Sequence, residues 1–172
     1  MRHLFQSSSC LRILLGAMSV FFMACEDGVG VERGQLAPNF ELKDIHGKTV
    51  ELSSFRGKTV LLYFWADFCP SCKREFPETQ EFYDKLKKQD LEVVAVNVGQ
   101  DVQISKEFAQ EFKATFSMLT DPQKDIAKLY EVGEKLPVNY FINAEGKIIR
   151  RINGWTTLQQ VQVILNQNKP SK

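Results

Sequence analysis

Trp65-Ala66-Asp67-Phe68-Cys69-Pro70-Ser71-Cys72 is the stretch that decides the fold, because an apolar run over residues 60–65 empties directly into a Cys-x-x-Cys. That run reads as a buried strand. Over residues 73–88, Phe76, Gln80, Tyr83 and Lys87 trace one helical face, and Phe82 and Leu86 fall on the neighbouring one. The strand therefore delivers two thiols to the N-terminus of a helix.

That position carries chemistry. The unpaired amides of a first turn and the positive end of the helix dipole both favour an anion, and cysteine attacks as the thiolate. A Cys-x-x-Cys nucleophile has a pKa of about 3.5 to 7.5, below that of free cysteine. Cys69, at the outer lip of the turn, is the natural nucleophile. Cys72, already inside the helix, is placed to attack a mixed disulfide from behind. The alternatives are a structural disulfide or half of a zinc site. A tetrahedral zinc needs four ligands, and beyond the leader the chain offers no second cysteine pair and only His46. Neither a metal nor another cofactor is expected.

Upstream, Arg2 and Arg12 flank a Ser-rich lead, and residues 13–24 form an apolar run of signal-peptide length, too short for a comfortable membrane span. It ends in Phe22-Met23-Ala24-Cys25, similar to the lipobox of bacterial lipoproteins. By that likeness residues 1–24 are a signal peptide and Cys25 carries the lipid. An ordinary signal peptide or an uncleaved anchor is the alternative. Cys10 leaves with the leader, so Cys69 and Cys72 are the only free thiols of the mature domain. One pair three residues apart encloses too short a loop to staple a fold, which leaves reaction as its purpose. Cleavage removes two arginines and no acid, taking the formal charge from +1 to −1. Nothing in that balance suggests a nucleic-acid partner.

Residues 25–35 read as a lipidated cysteine and a flexible tether, residues 36–168 as one domain and residues 169–172 as a polar tail. The domain opens with an extended piece at residues 37–42, a turn around His46 and Gly47, and a short strand over residues 49–52, together a β-hairpin. A single helical turn precedes the central strand. Pro77 is too deep in its helix to be a cap and predicts a kink. Residues 91–98 are a second buried strand, residues 104–113 a helix, and residues 116–119 a short extended piece. Asp121-Pro122 reads as an N-cap with proline at the first position of a helix reaching Tyr130. This β-α-β-α order implies a parallel sheet. Two alternating arms, 138–142 and 147–152, then form a closing hairpin, and residues 157–166 an amphipathic helix.

The sequence resembles the thioredoxin-fold, TlpA/ResA-like group of membrane-tethered bacterial thiol-disulfide oxidoreductases. Four matches carry the likeness: Ala37-Pro38-Asn39-Phe40; Phe64-Trp65-Ala66 running into the cysteines; Lys73-Arg74-Glu75-Phe76-Pro77; and Leu136-Pro137 leading into 138–142 and the Glu145-Gly146 turn. The resemblance implies an α/β thioredoxin fold, with a mixed central sheet flanked by helices, an N-terminal β-hairpin extension and an inserted strand-helix unit. It implies that Cys69 attacks, Cys72 resolves and Pro137 is a cis-proline that presents the backbone of Leu136 to a substrate chain. Trp65, Phe68, Pro70 and Ser71 join Leu136 and Pro137 in the expected substrate surface. Glu75 matches an acidic residue kept close to the thiols, which it would tune by like-charge repulsion or serve as a proton shuttle. It reads equally as a favourable acid in a first helical turn.

There are departures. Tyr63 stands where thioredoxin has a buried acid, and Phe68 replaces the usual tryptophan. In Pro70-Ser71 the proline comes first, so the residue after Cys69 has no amide hydrogen. The implied activity is exchange with disulfides of exported proteins, outside the cytoplasm and more in the reducing than the oxidising direction. A membrane electron donor or an oxidase would be its protein partner. Apocytochrome c is the group's best-known client, and the domain is expected to be monomeric. Two other classes share the fold. A peroxiredoxin-like peroxidase needs a Thr or Ser where Ala66 stands, and a copper-binding chaperone needs wider cysteine spacing and a His downstream of His46.

Overall fold

The structure, a computed structural model, describes residues 28–168. The leader, Cys25 and the tail expected over residues 169–172 lie outside them. Among the described residues, seven strands make one sheet: β1 (Glu41–Asp44), β2 (Thr49–Glu51), β3 (Thr59–Trp65), β4 (Leu91–Val98), β5 (Ser117–Asp121), β6 (Val138–Ile142) and β7 (Ile148–Asn153). Their order is β2-β1-β5-β4-β3-β6-β7. β3, β4 and β5 run parallel. The hairpin β1–β2 joins antiparallel to β5, and β6–β7 closes the other side antiparallel to β3. The helices are α1 (Pro70–Leu86), α2 (Val102–Glu111), α3 (Asp125–Leu129) and α4 (Leu158–Gln167).

Every residue of β3 is buried, as a strand covered on both faces requires, which explains its unbroken apolar run. On one face Leu61, Tyr63 and Trp65 pack with Phe76, Phe82, Phe108, Val161 and Ile164 from α1, α2 and α4. On the other, Val60, Leu62 and Phe64 pack with Ala37, Phe40, Leu52 and Tyr130. Phe76 is the hub of the first layer, with the rings of Tyr63, Trp65, Phe108, Phe112 and Phe116 at centroid distances from 4.7 to 6.0 Å.

Three details differ from the sequence expectations. α1 starts at Pro70, and its buried face is Cys72, Glu75, Phe76, Thr79, Phe82 and Leu86. Gln80 is half-buried and Lys87 exposed, because two polar residues, Glu75 and Thr79, take up the inner face. Pro77 lies on the outer side, and the helix runs past it as one element. Asp121 does not begin a helix at Pro122; it ends β5, and the chain turns before α3. Its carboxylate still caps α3, accepting the N–H groups of Asp125 at 2.9 Å and Ala127 at 2.8 Å.

The tether expectation also changes. From Gly28 onward the segment is bound to the domain: Leu36 N–H donates to Gly28 O, Gly34 N–H to Ile148 O and Ile148 N–H to Gln35 O. Ile148 opposes Ile142, and Ile142 opposes Val60 at the start of β3. Residues 28–36 therefore sit at the end of the sheet away from Trp65.

Candidate active site

β3 ends at Trp65, and the chain turns through Ala66, Asp67 and Phe68 into α1. Cys69 is the N-cap, extended at φ −90° and ψ 106°, with Pro70 at the first helical position. A proline costs nothing there, since the amide it lacks has no helical partner in any sequence. The amide that serves the sulfur comes from further along, with Cys72 N–H donating to Cys69 Sγ at 3.1 Å. Ser71 Oγ lies 3.7 Å from the same sulfur. Cys69 and Cys72 are joined as a disulfide with their Cα atoms 5.2 Å apart. Cys69 keeps 6% of its surface exposed and Cys72 none, so only Cys69 can be approached from solvent.

The peptide bond between Leu136 and Pro137 is cis. Val138, the next residue, opposes Phe64 on β3, which brings Pro137 to the end of the sheet where the cysteines emerge. Around them Phe68 and Pro70 are exposed, Ser71 and Leu136 half-buried and Pro137 buried. Trp65 departs from its expected place in the substrate surface: it is fully buried. Its ring packs on Phe108 at 4.3 Å and Phe76 at 5.3 Å. Its part is to support the reactive turn from beneath.

Glu75 lies on the second turn of α1 and not the first, because the helix begins at Pro70. That places its carboxyl in the interior, with 1% of the residue exposed. Oε1 accepts the backbone N–H of Thr156 at 2.7 Å, and Oε2 has no hydrogen-bond partner. Burial pushes the carboxyl up to about 8. The Thr156 amide opposes this, the like charge of Glu78 adds to it, and the Asn139 side chain pulls down. Burial, then the charge of Glu75, also drives the Tyr63 phenol well above its ordinary range. The Tyr63 hydroxyl donates to the carbonyl of Cys72 at 3.5 Å.

Sequence reasoning missed a second set of contacts. Gln100, just after β4, accepts the N–H of Asp67 at 2.9 Å and returns a hydrogen bond from its amide to the Asp67 carboxylate. Asn97 Nδ2 donates to the same Gln100 oxygen at 2.8 Å. The turn before Cys69 is thus tied to the end of the neighbouring strand by the Gln100 side chain, 33 residues away in sequence. No local pattern signals such a pair. The same holds for Thr156, whose contribution is a backbone group.

Chemically, the site holds one accessible sulfur bonded to one shielded sulfur, with the buried carboxyl of Glu75 one turn along α1 from Cys72. Comparison with known proteins agrees with that chemistry. The AhpC/TSA family matches residues 33–151. The thiol-disulfide oxidoreductase ResA of Bacillus subtilis (strain 168) is 33% identical over 173 residues, covering 99% of this chain and 96% of that protein. ResA of Geobacillus kaustophilus is 34% identical over 171 residues, 98% of each chain. Among solved structures, a Chlorobium tepidum protein described as the thiol:disulfide interchange protein DsbE has a TM-score of 0.72 at 30% identity, over 79% of this chain and 99% of that one.

The fold is the thioredoxin fold, a mixed sheet with the cysteine pair where β3 meets α1. The chain belongs to the AhpC/TSA family and, within it, to the ResA-like thiol-disulfide oxidoreductases. It is an oxidoreductase of that kind, with protein disulfides as its general class of substrate.

Proposed function

We propose that the protein acts outside the cytoplasm as a reductant of disulfides in exported proteins, with Cys69 as nucleophile and Cys72 as resolving thiol. The observation that carries these roles is the difference in burial between the two sulfurs. In the reduced protein the Cys69 thiolate attacks a client disulfide, forming a bond to one client sulfur and expelling the other as a thiolate. Cys72 then attacks Cys69, the client leaves as a thiolate, and the two electrons of the dithiol have passed to the client as the Cys69–Cys72 bond closes.

Cys72 must lose a proton to attack. Glu75 is the proposed acceptor, since a carboxyl pushed up to about 8 shares its proton with thiols more readily than an ordinary one. Phe68, Pro70, Ser71, Leu136 and Pro137 form the proposed docking lip. Regeneration needs a membrane electron donor, because exported compartments tend to oxidise dithiols. Cytochrome c maturation is the reading favoured by the likeness to ResA. Lipid attachment at Cys25 is the proposed means of holding the enzyme at a membrane. A peroxidase reading, which the AhpC/TSA match keeps in view, lacks the required hydroxyl: Ala66 is fully buried at that position.

The deciding experiment is the reduction potential of the Cys69–Cys72 pair, measured against defined thiol-disulfide buffers. A value near about −270 mV or lower supports a reductant. A value towards about −120 mV reverses the direction.

A further inference from the structure

Beside the disulfide lies a groove of about 410 Å³, lined by Phe68, Val98, Ala127, Val132 and Leu136, with Lys124, Lys128 and Glu134 also on its walls. Its volume is within the range of about 300 to 1,000 Å³ that side chains and small ligands fill. Phe68, 68% exposed, is the residue immediately before Cys69. Leu136 immediately precedes the cis-proline. The groove is thus bordered by the residues that precede Cys69 and Pro137.

The charges on the walls are not equivalent. Lys124 has a positive φ of 61° although it is not glycine. Its stem crosses Gly99, where an added Cβ would collide with Lys124 Cε. Gly99, at φ +73°, leaves that seat open. The Lys124 ammonium has no hydrogen-bond or ion-pair partner among the described residues, although its backbone N–H donates to Asp121 O. Lys128, four residues on and lining the same groove, has only 3.4 Å contacts to the Asp125 carboxylate and the Gln123 carbonyl. Both partners of that ion pair are 72% exposed, so the contact holds Lys128 weakly. Two lysines and one acid, Glu134, thus border an apolar groove, leaving its walls with a net positive charge.

We propose that this groove selects client strands that carry an apolar side chain next to their cysteine and a carboxylate beyond it, the carboxylate meeting Lys124 and Lys128. The proposal rests on the reading that Cys69 exchanges with protein disulfides, and it names which of them are preferred.

The test uses short cystine-bridged peptides with Leu or Ser beside the cysteine and Glu or Lys further along. Second-order rates of their reduction by the reduced protein are each divided by that same variant's rate on neutral bis(2-hydroxyethyl) disulfide. The Leu/Glu peptide is expected to react roughly 5-fold faster than the Leu/Lys peptide at low salt, with the gap closing as salt rises. K124E reverses the Glu/Lys order, and V132S narrows the gap between Leu and Ser peptides. Equal rates for Glu and Lys peptides, or an order that K124E does not alter, would overturn the proposal while leaving the exchange reading intact. Failure to reduce even the neutral disulfide would overturn both.

Discussion

The carboxyl of Glu75, on α1, accepts the backbone N–H of Thr156, 81 residues further along the chain. Thr156 precedes α4, whose N-cap Thr157 forms a capping box with Gln160. The environment of the acid beside the cysteines is therefore set in part by how α4 begins.

The first prediction concerns stability against pH in the oxidised protein, where the cysteines do not titrate. Glu75 has its carboxyl raised from 4.5 to about 8 by burial. Between those values the folded state holds a proton that the unfolded chain has released. Stability therefore falls as pH rises through that window, by up to about 1.4 kcal/mol per pH unit, and is flat on either side. Urea unfolding between pH 5 and about 9 will show this slope in the native protein, whereas E75Q will lose it.

Replacing Thr157 by Ala removes a capping box and is expected to cost about 1 kcal/mol. It also loosens the Thr156 amide, which holds the Glu75 proton affinity down. The upper end of the pH window should move upward in T157A, read from the same unfolding series. An unchanged window with lowered stability would mean that the cap does not act on Glu75.

Phe76 contacts five other rings, and truncating such a fully buried phenylalanine to alanine costs about 3 to 5 kcal/mol. The F76A midpoint in urea should fall accordingly. Because Phe76 also supports Trp65, which ends β3 just before the reactive turn, the rate of disulfide exchange should fall in the fraction that remains folded.

Asp121 offers two oxygens to two amides of α3. In D121A both amides lose their acceptor in a buried setting, and a loss of about 1 to 3 kcal/mol is expected. D121N keeps one acceptor and should recover part of it. Equilibrium unfolding of the two variants measures the difference.

Among the cysteines, C72S should accumulate as a mixed disulfide with client proteins, since its first attack is intact and its second is lost. C69S should form none. Non-reducing electrophoresis with a cystine-bridged substrate separates the two, and adducts on C69S alone would exchange the assigned roles.

Much of this was legible in the chain. The apolar runs ending at Trp65 and Val98 announce strands covered on both faces. The Cys-x-x-Cys directly after the first of them announces thiols at a helix N-terminus, although not that Pro70 opens the helix. What stayed hidden depended on tertiary placement. Trp65 looked available because it borders the cysteines, yet as the last residue of β3 it points into the layer beneath α1 and α2. Glu75 looked like a first-turn acid until the helix start at Pro70 moved it to the inner face. The Asp67–Gln100 tie joins two loops that only the parallel pairing of β3 and β4 brings together.

Residues 28–36 are bound at the end of the sheet where β3 begins, whereas Cys69 follows its other end, about 20 Å away by strand rise. The N-terminal segment and the reactive sulfur thus lie at opposite poles of the domain. A tag, surface linker or carrier protein joined ahead of Gly28 would leave the approach to Cys69 clear, which makes that end the natural handle for immobilising the enzyme with its reactive face outward.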